Sequence, residues 1–344
     1  MKKAIITGIT GQDGAWLAKC LLSNGYKVYG AIRRNSDRNL HRLKRLGIDG
    51  KIKLVEFDLL EYSNILQAIR DIQPDEFYNL AAQSFVGVSF QQPISTFQTN
   101  AMGVAYILDI LKSCSPKTKF YQASTSEMFG DVDPRNVPLN ESSPFHPRSP
   151  YGVAKLFAHW NAVNYREAFG MYCCSGILFN HESELRGVEF VTRKISFHVA
   201  SKYHKCRDLK PLELGNLDAI RDWGYAKEYC EGMWQMMQQD EPDSYVLATG
   251  EGRKVREFVE SAFRFAGHDI RWDGSGVNEV GYDNKTGEVL VRVNPDFYRP
   301  AEVNLLIGCA EKARKKFGWA AATRVEKLTE VMVKGDIDFL KGTQ

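Results

Sequence analysis

Apolar positions fall into two alternating rhythms along the first half of the chain. Short β-branched or aromatic runs at 3–7, 26–32, 52–57, 76–80, 119–123 and 172–178 predict strands. Between them, residues 16–22, 63–72, 104–111 and 151–169 carry helical spacing. The punctuation agrees. Asn24-Gly25 and Gly170 close two of the helices, and Pro74 stands just beyond a third, where it does no harm. Strand and helix in alternation predict a parallel sheet with helices on both faces, a doubly wound α/β fold.

Beyond residue 180 the rhythm loosens. Loops rich in Gly, Asn and Pro appear at Gly215-Asn216, Asp273-Gly274-Ser275-Gly276 and Tyr298-Arg299-Pro300. The expected division is a nucleotide-binding domain over 1–180 and a smaller, mainly substrate-binding domain over 181–344. A return segment near 217–240 rejoins the first, because 226–238 resumes helical spacing. A chain of 344 residues is long enough for both.

Composition excludes more than it identifies. Apolar residues make up 44% and the formal net charge is +3, so bulk electrostatics give no case for nucleic-acid binding. No stretch approaches the roughly 20 apolar residues of a membrane span. The opening Met-Lys-Lys-Ala-Ile-Ile-Thr-Gly does not read as a secretion signal. Seven cysteines, none in a Cys-x-x-Cys pair, suggest reduced thiols in a cytoplasmic setting and no metal site.

The first strand runs into Gly8-Ile9-Thr10-Gly11-Gln12-Asp13-Gly14, just ahead of a helix. Glycines there let the backbone approach a pyrophosphate, and the helix N-terminus supplies N–H donors, so the fold reads as Rossmann-type. A tight strand-to-helix turn would use the same residues. The second strand ends in Arg33-Arg34-Asn35-Ser36. A dinucleotide site selective for NAD places an acid there, about 20 residues on, to accept from the ribose hydroxyl. Guanidinium groups suit a 2′-phosphate instead, so the expected cofactor is NADP. A solvated basic loop, continuing through Arg38, Arg42, Lys44 and Arg45, is the alternative.

Tyr151 and Lys155 stand four apart, on one face of a helix. An ammonium beside the phenol favours the tyrosinate, giving an acid–base group that works nearer neutral pH. Two residues on a solvated helix face would have the same spacing. Ser124-Thr125-Ser126-Glu127 follows the fifth strand, at the edge where sites gather in open α/β sheets. Ser124 and Glu127 also fit a helix capping box, although the following Met-Phe-Gly-Asp-Val-Asp-Pro is a poor helix. Alcohol oxidation alone has no use for a carboxylate here. Removal of a proton from carbon does.

These stretches, with Asn79-Leu80-Ala81-Ala82-Gln83-Ser84, Pro147-Arg148-Ser149-Pro150-Tyr151-Gly152, residues 176–183, Phe190-Val191-Thr192-Arg193-Lys194, Arg221-Asp222-Trp223-Gly224 and Tyr298-Arg299-Pro300-Ala301-Glu302, resemble the GDP-mannose 4,6-dehydratases. That family belongs to the extended short-chain dehydrogenases/reductases, and the resemblance spans nearly the whole chain. It implies a hydro-lyase that oxidises C4 of a GDP-linked mannose, eliminates water across C5 and C6, and returns the hydride to C6. Tyr151 would act as base at the 4-hydroxyl. Glu127 would take the C5 proton and protonate the departing 6-hydroxyl. Thr125 would bond O4, and Lys155 would tune Tyr151.

The resemblance further implies cofactor contacts from Gly8, Thr10, Gly11, Gln12, Asp13, Gly14, Arg33, Asp58, Leu59, Leu80, Ala81, Ala82, Gln83, Ser84, His181 and Arg186, besides Tyr151 and Lys155. Substrate contacts would come from Ser84, Asn180, Val191, Lys194, Arg221, Arg299 and Glu302 as well as the catalytic set. It also implies a homodimer or homotetramer in which the 33–38 loop meets a neighbour's cofactor. On its own, His181 also reads as an ordinary structural histidine, and each charged contact as an ordinary ion pair. One departure stands out. The chain reads Ser183-Glu184-Leu185-Arg186-Gly187 where the family pattern has proline at 184. A roomier or more polar pocket, suited to GDP-D-glycero-D-manno-heptose, is one reading of Glu184, and loop drift is another. Rival classes are an epimerase or reductase of the same fold, an NADP sensor without activity, and an interaction protein.

Overall fold

The computed structural model describes residues 1–34, 39–206, 209–298, 301 and 303–342. Six strands, β1 (Lys3–Thr7), β2 (Lys27–Ile32), β3 (Lys53–Glu56), β4 (Glu76–Asn79), β5 (Lys119–Thr125) and β6 (Cys173–Leu178), form a parallel sheet in the order 3-2-1-4-5-6. Ser244–Leu247 adds a seventh parallel strand beside β6. The chain reverses direction across the sheet between β1 and β4. In such sheets the crevice at the carboxyl ends of the strands is the ligand site.

Alternation along the strands divides the core into two layers. Ile6, Tyr78, Tyr121 and Cys174 face one layer, with the helices Gln12–Ser23 and Ala226–Met237. Ile5, Phe77, Phe120 and Cys173 face the other, with the helices Tyr62–Ile72, Gly103–Cys114 and Pro150–Phe169. The neighbouring Cys173 and Cys174 therefore point to opposite sides of the sheet.

Three elements start or end differently from the sequence expectation, each for a local reason. The first helix begins at Gln12, directly on the glycine turn. β5 runs on to Thr125, which puts that hydroxyl at the strand's carboxyl end. The helix at 104–111 is the last part of a longer run: Pro93–Phe97 widens through a π-turn at Gln98–Met102 before Gly103–Cys114.

The second half builds two small sheets. Ile220–Tyr225 lies between Gly252–Lys254 and Leu305–Leu306, and also pairs with Asn180–Glu182. Ile270–Asp273, Val280–Asp283, Val289–Val293 and Leu212–Leu214 form the other. A separate apolar cluster under them includes Trp223, Phe258, Phe263, Leu328 and Met332. Chain segments rejoin the first layer over more than 217–240. Ala226–Met237 packs on Gln12–Ser23, Ser244–Leu247 completes the sheet, and Ala313 and Trp319 enter the same cluster. A buried ion pair, Arg193 Nη2 to Asp336 Oδ1 at 2.6 Å, ties Val191–Tyr203 to Val325–Lys341. No helix among the described residues is long and apolar enough to cross a membrane.

Candidate active site

The glycine turn is shaped by close approach. Gly8 has φ +69°, and a side chain there would meet the Ala81 backbone nitrogen at 3.0 Å. A Cβ on Gly14 would lie 2.3 Å from the Gly8 carbonyl oxygen, so only glycine lets the helix start this close to the turn. Gly11 caps the helix Gln12–Ser23 with no side-chain hydrogen bond, which leaves its first N–H groups facing the turn. Thr7 fixes the next loop: its hydroxyl accepts from Leu80 N and Ala81 N, both at 3.0 Å, and donates to Asn79 Oδ1 at 2.9 Å.

Asp13 is held by His181. The ring Nε2 lies 2.9 Å from Asp13 Oδ2, and Nδ1 lies 2.7 Å from the Phe179 carbonyl oxygen. Two acceptors on two ring nitrogens call for two N–H groups, the charged imidazolium. Burial disfavours that charge, but Asp13 and the Phe179 carbonyl outweigh it and raise the His181 pKa. Burial likewise opposes the Asp13 charge, and His181 prevails, holding the carboxyl at about 2. The ring also stacks on Tyr229 at 4.8 Å. Gln12 continues the link, donating to the His181 carbonyl at 3.1 Å and accepting from Ser183 at 2.8 Å.

At the end of β5 the four expected catalytic residues come together. The helix Pro150–Phe169 is capped by Ser149, whose hydroxyl accepts from Gly152 N at 3.1 Å, and starts with proline at its first position. It carries Tyr151 close to the Thr125 hydroxyl, which favours the phenolate. Thr125 in turn accepts from the Glu127 backbone N–H at 3.3 Å. Lys155 Nζ lies 5.9 Å from the Tyr151 ring centre and donates to the Ala123 carbonyl at 2.9 Å.

Both titratable groups on this helix are buried. Burial pushes the Tyr151 phenol up to about 12; Thr125 opposes the rise and Glu127 adds to it. Burial holds Lys155 down to about 8 against the pull of Asp13. The expected depression of Tyr151 is thus not met, because the desolvation of the phenolate outweighs its polar neighbours.

The remaining expected contacts are spread around this centre. Arg186 is close enough for its charge to favour the Tyr151 phenolate, and its guanidinium lies 3.7 Å from the Phe190 ring centre and 3.2 Å from Glu182. Asn180 shares a sheet with Arg221, and its Oδ1 is buried without a hydrogen-bond partner among the described residues. Val191 is exposed at the start of its helix, and Lys194 Nζ lies 4.0 Å over the Phe297 ring. Gln83 is fixed by Asn100, while Ser84 is exposed. Leu59 is buried against Gly103, and the Asp58 carboxylate accepts from Leu60 N. Arg33 is exposed at the end of β2. Arg38, Arg299 and Glu302 lie outside the described residues.

Two outcomes lay beyond the reach of the sequence. Arg42 is not a solvated loop charge: it donates to the carbonyls of Thr10 at 2.9 Å and Leu185 at 2.6 Å, lacing the glycine turn to the 183–187 loop. The contacts of Glu184 come from Arg45, Arg193 and Gly335. Its carbonyl accepts from Arg45 at 2.8 Å and also from Arg193, and its side chain packs where Gly335 leaves room. Burial raises its carboxyl against the opposing pull of Arg45 and Arg193.

Comparison with known proteins agrees with the geometry. The sequence model of the family described as GDP-mannose 4,6 dehydratase matches residues 5–332. The chain is 48% identical to the GDP-mannose 4,6 dehydratase of Drosophila melanogaster, over 99% of this chain and 87% of that protein. It is 48% identical to the GDP-mannose 4,6-dehydratase of Sinorhizobium fredii, over 100% and 99%. Among solved structures, RMD from Pseudomonas aeruginosa complexed with NADPH superposes with a TM-score of 0.76 at 20% identity, over 98% of this chain and 100% of that one. The dTDP-glucose 4,6-dehydratase of Bacillus anthracis in complex with NAD gives 0.79 at 19%, over 97% and 96%. The protein is a member of the GDP-mannose 4,6-dehydratase family.

Proposed function

We propose that this protein converts GDP-mannose to GDP-4-keto-6-deoxymannose, as a hydro-lyase with a recycled NADP. The observation that carries the reading is Glu127, whose backbone N–H bonds the Thr125 hydroxyl, close enough to Tyr151 for its charge to act on the phenol. An epimerase or simple reductase has no step for that carboxylate.

The cradle fits a dinucleotide. A Cβ on Gly14 would collide with the Gly8 and Ile9 backbone, Gly8 and Gly11 leave only tight room for one, and the helix start, without a side-chain cap, offers N–H donors to a pyrophosphate. The exposed Arg33 and Arg34, which directly follow β2, favour the 2′-phosphorylated form. When bound there, the cofactor would supply the hydride acceptor for oxidation at C4 and the hydride donor for C6. Tyr151 takes the proton of the 4-hydroxyl, with Thr125 donating to O4. A cationic cofactor and the Lys155 ammonium both lower the cost of the phenolate. The 4-ketone acidifies C5. Glu127 removes that proton and delivers it to the 6-hydroxyl, which leaves as water. Asn180 Oδ1, buried and unpaired among the described residues, is an acceptor ready for a sugar hydroxyl. Lys194 and Arg221 supply charge for the diphosphate.

The heptose-linked nucleotide draws no support from Glu184, whose contacts are with Arg45, Arg193 and Gly335. A homo-oligomer fits the exposed Val153, Phe157 and Trp160, which form one stripe on the Tyr151 helix. The seven free cysteines suit a reducing, cytoplasmic setting.

The test is Glu127→Gln. The variant should bind NADP normally, reduce it on adding GDP-mannose, and form almost no dehydrated product. Undiminished loss of water, read by mass, would remove Glu127 from the mechanism.

A further inference from the structure

The helix Pro150–Phe169 presents a third residue in register with the catalytic pair. Tyr151, Lys155 and His159 are spaced four apart and so share one helix face. All three reach the last three residues of β5. Tyr151 lies close enough to Thr125 for that hydroxyl to favour its phenolate, Lys155 donates to the Ala123 carbonyl at 2.9 Å, and His159 Nδ1 lies 3.0 Å from Ser124 Oγ. Thr125 and Ser124 are adjacent on the strand, so they point to opposite sides of it. Tyr151 and His159 therefore hold both sides of the same strand end.

The His159–Ser124 contact is dry: the two residues are 4% and 6% exposed. The ring packs edge-on against Phe145 at 5.5 Å, and Phe145 lies 5.1 Å from Phe129. Phe129 directly follows the 3₁₀ turn Ser126–Met128, which carries Glu127. The turn bearing Glu127 is thus gripped before and after: by Ser124 on one side and by the Phe129–Phe145–His159 stack on the other. Burial and Arg166 hold the ring pKa down to about 4, so it is neutral in the working range.

We propose that His159 is a positioning residue for the elimination step, fixing the Glu127 turn against the helix that carries Tyr151. Its effect falls on the step that needs both groups at once. Oxidation at C4 uses Tyr151 and Thr125 and is less exposed to the loss. The inference rests on the dehydratase reading given above.

The experiment compares wild type with His159→Phe, His159→Asn, Ser124→Ala and the double variant His159→Phe/Ser124→Ala, each loaded with NADP and supplied with GDP-mannose. Phenylalanine keeps the ring packing and loses the bond, while asparagine places a polar group near the position of Nδ1. His159→Phe should lower kcat about 10- to 100-fold, the scale of an ångström-sized misplacement. KM should stay within about twofold, and more of the cofactor should stand reduced during turnover. His159→Asn should recover most of the rate. The double variant should regain thermal stability, because no buried hydroxyl is left without a partner, yet stay slow. Ser124→Ala removes one oxygen and carries the same test should His159→Phe fail to fold. A double variant restored in rate as well as stability would reduce His159 to packing and overturn the proposal, as would unchanged kcat and unchanged reduced fraction in the single variants. A wild type that forms no dehydrated product at all would instead overturn the functional reading beneath it.

Discussion

The carbonyl oxygen of Glu127 lies 2.9 Å from where a Cβ on Gly152 would stand. The residue after Tyr151 is therefore the point at which its helix touches the turn bearing Glu127. The close approach needs hydrogen alone at that position. Gly152→Ala should push the helix start away by a few tenths of an ångström. Turnover should fall about 10- to 100-fold, while NADP affinity, set at the glycine turn, holds. Steady-state kinetics with a parallel cofactor titration checks this, and a variant of normal kcat would show that the contact yields freely.

Thr7 anchors the loop on the other side of the glycine turn. Its hydroxyl serves two backbone N–H groups and Asn79. Thr7→Val keeps the shape and removes every one of those bonds. Unpaired buried donors cost about 1–3 kcal/mol each, so urea unfolding should show a loss of that order or more. NADP affinity should drop too, because the Leu80–Ala81 backbone is released beside Gly8.

Much of this arrangement could be read from the residues alone, and the limits have physical causes. Six strands and their helices were legible because alternating and helical rhythms are local. The meeting of Tyr151, Lys155, Thr125 and Glu127 followed from strand ends and a four-residue spacing. Arg42 was not legible as a lace between Thr10 and Leu185, since a charge in a loop carries no record of which distant carbonyl it meets. The surroundings of Glu184 were not legible for the same reason: its neighbours Arg45, Arg193 and Gly335 come from three remote parts of the chain. Gly152 was visible only as a member of a motif. Its role depends on the path of another segment.

The Asp13–His181 pair makes stability depend on pH in a defined window. His181 has a folded pKa above its ordinary 6.5, so its contribution is complete below 6.5 and fades as pH rises through the raised value. Asp13 has a folded pKa of about 2 against an ordinary 3.8, so its contribution is complete above 3.8 and fades as pH falls towards 2. The pair is at full strength between 3.8 and 6.5. His181→Phe keeps a ring against Tyr229 but breaks the link to Asp13. The gap in melting temperature between wild type and this variant should be widest in that window and narrow above neutral pH. A gap independent of pH would mean that the ring acts only by packing.

Glu184 offers the sharpest separation between fold and specificity. Its carbonyl is bonded by Arg45 and Arg193, and its Cβ sits in the space left by Gly335, beside the buried Arg193–Asp336 pair. None of these groups belongs to the set around Tyr151. Glu184→Ala should therefore leave the ratio of kcat/KM for GDP-mannose and GDP-D-glycero-D-manno-heptose within about twofold of wild type, because a change confined to packing shifts both substrates alike. Stability should change little. Burial disfavours the carboxylate more than Arg45 and Arg193 favour it, so relieving it offsets part of the packing lost beside Gly335, and the net change should stay within about 1 kcal/mol. Dehydration of both nucleotides by wild type and variant, followed by mass, decides the matter. A ratio that shifts tenfold or more would place Glu184 in control of the space around C6 after all, acting through the 183–187 loop that Arg42 ties to the glycine turn.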